Sequence, residues 1–221
     1  MFGNKTKYFL IGLCMAVLLL TSCSKTNKYT YRENGIQYLE EGNYEEAIAA
    51  FDQALEKSSG FVGKFEKDVL KYKAEAEFKS GNYEAAAGSY ETLLSIDKEL
   101  PEYEYLRQIS IAQGYEAVGD YENALAAYES AIQAAGGSAD VYNRIGMCRI
   151  KEKNYEEALI NFQKGIELQD DAVRQSLLYH EAIVYEYLED FQTALTKFEE
   201  YVQLYGTNEA LEKEITFLKT R

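Results

Sequence analysis

The six residues Gly42-Asn43-Tyr44-Glu45-Glu46-Ala47 recur along this chain, and no other feature limits its folding as much. The stretch returns as Gly81-Asn82-Tyr83-Glu84-Ala85-Ala86 and as Gly119-Asp120-Tyr121-Glu122-Asn123-Ala124. Looser copies are Lys153-Asn154-Tyr155-Glu156-Glu157-Ala158 and Glu189-Asp190-Phe191-Gln192-Thr193-Ala194. Each copy reads as the turn of a helical hairpin. A leading glycine takes the left-handed conformation that ends a helix without a Cβ penalty. The Asn or Asp after it offers an oxygen to the free N–H groups of the next helix. Glu46 and Glu157, three residues past their caps, have the spacing of a capping box. Lys153 and Glu189 stand where glycine is expected, so their helices should end with less left-handed geometry or with strain.

The alanines fall at 47, 86, 124, 158 and 194, giving intervals of 39, 38, 34 and 36. Periods of about 20–50 residues point to solenoids or arrays. Four residues after each alanine comes an aromatic: Phe51, Tyr90, Tyr128, Phe162 and Phe198. Twelve before each comes a small residue: Gly35, Ala74, Ala112, Gly146 and Ala182. This register resembles the tetratricopeptide repeat, a helix–turn–helix unit of about 34 residues. The resemblance covers residues 28–208 and implies an all-α, right-handed solenoid of five helix–turn–helix units. Two departures are visible. The proline near each repeat's end is missing. The small residue seven after the alanine is kept in Ala54, Ala131 and Gly165 but replaced by Leu93 and Tyr201. Intervals above 34 imply longer helices or loops near Ser58–Gly63 and Glu99–Pro101.

Residues 1–22 read as a targeting segment. Lys5 and Lys7 precede a mostly apolar run from Tyr8 to Leu20, short for a membrane span. The run ends at Leu20-Thr21-Ser22-Cys23, which looks like a bacterial lipobox. That resemblance implies cleavage before Cys23 and a diacylglyceryl group on its sulfur. The alternative is a plain secretory signal with an incidental cysteine. Residues 23–27 would form the lipidated cysteine and a short tether, and a two-chain anchor suffices for stable attachment. Repeats then occupy about 28–59, 65–99, 102–135, 139–169 and 173–204. A last helix over 209–221 carries Leu211, Ile215 and Leu218 on one stripe, as a solenoid's open end requires.

The whole chain carries 23 basic and 37 acidic residues, a net of −14. Removing residues 1–22 takes Lys5 and Lys7 and no acid, so the net becomes −16. Nucleic acid is excluded as partner, because phosphate binding needs a basic footprint. The acids read first as solvated helix faces and second as a lure for basic partners. Once Cys14 and Cys23 are assigned to the leader and the lipid, Cys148 is the only thiol, so no internal disulfide is available.

Catalytic chemistry has little support. Cys148 and the sole histidine, His180, fall on first helices of adjacent repeats, which makes a pair conceivable. No third orienting group, phosphate loop or zinc motif accompanies them. No cofactor or metal is expected.

In the tetratricopeptide family the first helices line a concave face that holds peptides. The resemblance places Arg32, Ile36 and Leu39 there, then Lys71, Glu75, Phe78 and Lys79, and Ile109, Gln113 and Glu116. It adds Asn143, Met147, Ile150 and Lys151, and Tyr179, Ile183, Glu186 and Tyr187. The strongest candidates are Arg32, Lys71, Phe78, Asn143, Met147, Tyr179, Ile183 and Tyr187. Packing between repeats is the alternative role for the apolar ones. A carboxylate clamp of the family's kind is not expected: Lys71 fits, but Glu75, Leu106 and Ser110 do not. The expectation is therefore a non-enzymatic lipoprotein, anchored through Cys23 to a bacterial cell membrane or outer membrane on its extracytoplasmic side. It would present a scaffold to a protein or peptide. An envelope assembly component and a glycan-binding lipoprotein are the alternatives.

Overall fold

The structure is a computed structural model that describes residues 27–58, 62–97 and 100–221. The targeting segment, Cys23 and most of the tether lie outside the described residues. The described residues form eleven helices and no strand. They are α1 (Lys28–Glu40), α2 (Tyr44–Glu56), α3 (Lys64–Lys79), α4 (Tyr83–Ile96), α5 (Pro101–Ala117) and α6 (Tyr121–Ala135). Then come α7 (Ala139–Lys151), α8 (Tyr155–Glu167), α9 (Asp171–Tyr187), α10 (Phe191–Tyr205) and α11 (Glu209–Leu218).

All five corners end their first helix in the same way. The residue at the glycine position has φ of 79°, 83° and 78° at Gly42, Gly81 and Gly119, and 62° and 59° at Lys153 and Glu189. Of the two outcomes open for Lys153 and Glu189, the structure takes strain: both keep the left-handed turn without being glycine. The reason is the hydrogen bonding that the turn permits. Each of these residues donates its N–H three residues back, as Gly42 does to the Leu39 carbonyl at 3.2 Å. The following cap residue donates five back, as Asn43 does to the Tyr38 carbonyl at 2.8 Å and Asp190 to the Tyr185 carbonyl at 2.9 Å. Two otherwise orphaned carbonyls are thereby satisfied at every corner.

That pattern corrects the capping box. The N–H groups of Asn43 and Asn154 are already spent on Tyr38 and Arg149, so Glu46 and Glu157 have no cap donor to reach. The side-chain caps form at four corners, through Asn82, Asp120, Asn154 and Asp190. Asn43 is the exception: its amide instead donates to the Glu41 carboxylate at 3.1 Å.

The described residues fall into two compact units that divide between Ala76 and Glu77. In the first, Leu39, Ala47, Phe51, Ala54, Val69 and Ala76 form the core. Gly35 explains the close approach of α1 and α2, since a Cβ there would lie 2.6 Å from the Phe51 ring. In the second unit, one core gathers around Tyr128, a second around Phe162 and a third around Phe198. Gly146 meets Phe162 as Gly35 meets Phe51, with a virtual Cβ at 2.4 Å. Every repeated alanine is fully buried, and the aromatics four residues on are buried too. Where the small residue seven after the alanine is lost, Leu93 is buried outright. Tyr201 instead turns its hydroxyl to Gln175 at 2.9 Å. Leu211 and Leu218 of α11 are buried in the Phe198 core, which gives that helix its place at the chain's end.

Candidate functional site

The first-helix residues named from sequence divide by what they touch. In the first unit, Arg32 is paired with Asp68, and its guanidinium lies 5.5 Å from the Tyr72 ring centre. Lys71 is exposed. In the second, Phe78 is half-buried against the Tyr128 core and meets Tyr83 edge-on at 5.5 Å. Met147 and Ile150 pack against the Phe162 core. Asn143 Oδ1 accepts from His180 Nδ1 at 2.8 Å. Leu39, Ile109 and Gln113 are buried, so at those positions the packing role holds. Glu116 is bound from within: the Tyr128 hydroxyl donates to it at 2.7 Å, and Arg144 lies 3.7 Å away. Ser110 is buried with its hydroxyl donating to the Leu106 carbonyl at 2.8 Å.

Tyr179, Ile183 and Tyr187 are the three candidates that the structure brings to one place. With Glu186 of the same helix they line a cavity of about 460 Å³. Phe191 and Phe198 of α10 and Ala210, Leu211 and Glu214 of α11 complete its wall. Helical spacing explains the α9 contribution, since residues three, four and eight apart share a face. Tyr187 is stacked on Tyr155, with ring centres 4.9 Å apart and planes 13° apart, yet it stays 50% exposed. Tyr179 packs edge-on against Phe198 at 5.8 Å. Glu186 of α9 and Glu214 of α11 line the same cavity from two helices. Burial foremost, then hydrogen bonding to Glu214 and its like charge, raise Glu186 to about 7, so Glu186 holds a proton under mildly acidic conditions. Sequence reasoning placed Glu186 on this face but missed Glu214, because α11 read only as a cover. The signal was available: Glu214 lies three residues from Leu211, on the margin of the same apolar stripe.

A second recess, of about 390 Å³, lies between α4 and α5. Tyr83, Ile111, Tyr115 and Val118 give it an apolar lining.

Cys148 is buried, and burial pushes its thiol up to about 12, with Glu116 and Glu152 adding to the effect. At neutral pH it is a packed thiol and not a thiolate nucleophile. Burial also lowers His180, which keeps its ring neutral at physiological pH. Among the described residues no group of three or more His, Cys, Asp or Glu could hold a metal ion. No described helix is long and apolar enough to cross a membrane.

Five helical hairpins with one corner design define an α-helical repeat protein. The chain belongs to the tetratricopeptide-repeat family: models of that repeat match residues 33–101 and 116–178, together more than half of its length. Its fold class is the all-α tetratricopeptide solenoid. Among solved structures it is similar to MamA from Desulfovibrio magneticus RS-1. That match has 19% identity and a TM-score of 0.62, and covers 82% of this chain and 97% of that one. A tetratricopeptide repeat protein from Parabacteroides merdae gives 18% identity and a TM-score of 0.63, over 87% of this chain and 72% of that one. A thermophilic repeat protein from Thermus thermophilus gives 15% and 0.53, over 88% and 100%. At these identities the likeness concerns the fold. No curated protein matches the sequence.

Proposed function

We propose that this protein is a lipid-anchored interaction scaffold at a bacterial cell envelope, holding a protein or peptide partner on the first-helix faces of its hairpins. Repeats of this fold serve as binding platforms, and the sites described above offer shape without catalytic groups. The observation that carries the binding half is the aromatic-lined cavity at Tyr179, Ile183 and Tyr187. Such a recess suits an anchor side chain of a partner. The anchoring half rests on Leu20-Thr21-Ser22-Cys23, outside the described residues. A strongly acidic chain has no electrostatic route to anionic lipid, so attachment would fall to the lipid on Cys23.

The test is crosslinking in intact cells of the producing organism, with mass spectrometry of what is captured. Wild type is compared with a Lys71→Ala, Tyr179→Ala, Tyr187→Ala variant. A specific partner that disappears in the variant supports the scaffold reading. Partners retained equally would move the binding surface elsewhere and sink it.

A further inference from the structure

The cavity formed by α9, α10 and α11 joins two properties that rarely coincide. Its walls are aromatic and aliphatic, and it holds two carboxyl groups that come from different helices. Both Glu186 and Glu214 are half-buried. A carboxylate pair in such a place is costly unless a proton or a cation sits between its members.

The cations of α10, of α11 and of the residues after it are engaged elsewhere. Lys197 of α10 pairs with Glu181 at 3.1 Å, and Lys213 of α11 with Glu209 at 2.6 Å. Lys219 reaches Glu199 at 3.1 Å, and Arg221 lies over Phe217 at 4.4 Å and Phe191 at 5.9 Å. Arg174 is on α9, but about 18 Å away along the helix from Glu186. His180 is turned to Asn143. The other titratable groups in the wall itself are phenols, Tyr179 and Tyr187, with Tyr155 beneath Tyr187.

We propose that this pocket receives one arginine side chain from a partner protein, its guanidinium bridging Glu186 and Glu214 and lying against the open part of Tyr187. The proposal deepens the scaffold reading and rests on it. Arginine fits better than lysine on three counts. Its planar fork can donate to two carboxylates at once, whereas an ammonium is a point charge. Its flat face stacks on tyrosine, and Tyr187 is held for that by Tyr155. Its aliphatic stem has Ile183 and Leu211 to pack on. The cation replaces the proton on Glu186, so occupancy becomes pH-dependent. With Glu186 at about 7, a proton must be displaced in mild acid, and binding weakens as pH falls.

The experiment uses the full chain in nonionic detergent and the peptide acetyl-Ala-Gly-Arg-Gly-Ala-amide. Its controls carry lysine or citrulline, the neutral isostere, in place of arginine. The readout is the methyl NMR signals of Ile183 and Leu211. At about pH 8 the arginine peptide is expected to shift both signals saturably and to bind at least about tenfold more tightly than citrulline. At about pH 5.5 the arginine affinity should drop by about thirtyfold, the cost of displacing a proton held near neutrality. The Glu186→Gln, Glu214→Gln variant should retain its helical circular dichroism and lose both effects. Equal shifts from arginine and citrulline would overturn the proposal. So would lysine binding as tightly as arginine, shifts scattered over other acidic faces, or no saturation. If crosslinking finds a partner lost on mutation of Tyr179 and Tyr187 while arginine shows no preference, the scaffold stands and the arginine assignment alone fails.

Discussion

At the scale of single residues, this fold depends on side chains that are absent or very small. Gly146 faces Phe162 so closely that a methyl group would sit 2.4 Å from the ring. Gly146→Ala should therefore cost about 1–3 kcal/mol through overpacking, read as a lowered urea midpoint. A midpoint unchanged from wild type would mean that Phe162 has room to retreat. The left-handed corners make the opposite case. Lys153 and Glu189 hold φ near 60° with a Cβ present. Replacing either by glycine should gain about 0.5–1 kcal/mol, the strain released less the entropy that glycine adds to the unfolded chain. At Gly119, with φ of 78°, the reverse change to alanine should cost about 1 kcal/mol. The three corners share one hydrogen-bond pattern, so the signs of these changes test whether φ alone sets the penalty.

At the scale of elements, two carboxylates sit where neighbouring helices meet. Glu66 opens α3 and collects the Ser58 hydroxyl, the Gly63 N–H at 2.8 Å and Lys28 Nζ at 3.4 Å. Those donors, Ser58 foremost, hold its carboxyl down at about 2 against an ordinary 4.5. A depressed carboxylate contributes stability that is full above its unfolded value and lost as pH falls through the folded one. The stability difference between wild type and Glu66→Gln should therefore shrink as pH drops from 4.5 towards 2. Urea titrations at a series of pH values measure it; a constant difference would dissociate Glu66 from the acid response. Glu186 runs the other way. Its folded value near 7 exceeds the ordinary 4.5, so the folded state holds the extra proton, and stability declines as pH rises across that interval. Amide protection in α11, corrected for intrinsic exchange, should fall between about pH 4.5 and 7 in wild type and stay level in Glu214→Gln. Equal pH profiles in the two proteins would show that the carboxyl pair does not govern how α11 docks.

At the scale of the whole molecule, charge and address matter more than packing. A net charge of −14 sets what approaches the surface and repels polyanions. An arginine-bearing partner is favoured twice, by the general field and by the local carboxyl pair. In the proposed function, attachment is a separate property that would be carried by the sulfur of Cys23. Cys23→Ser should move the protein out of the membrane fraction and abolish metabolic labelling with a fatty acid, while its far-ultraviolet spectrum stays that of a helical protein. A Cys23→Ser protein that still sediments with membranes would remove the lipid anchor from the proposed function.

The sequence by itself determined the fold class, because the corner chemistry is local. A left-handed residue, a capping Asn or Asp, an aromatic and a buried alanine each act within about one turn of helix, and their register needs no distant partner. The face that carries Tyr179, Ile183 and Tyr187 came from the family resemblance and not from this local chemistry. The sequence could not determine which groove positions stay open. Leu39, Ile109 and Gln113 share the spacing of exposed neighbours but are buried once the helices pack. Nor could it decide the capping box, since the N–H groups of Asn43 and Asn154 are claimed by carbonyls of the preceding helices. The pairing of Glu186 with Glu214 belongs wholly to the tertiary structure. Twenty-eight residues separate the two, and only the docking of Leu211 and Leu218 in the Phe198 core brings their carboxyl groups together.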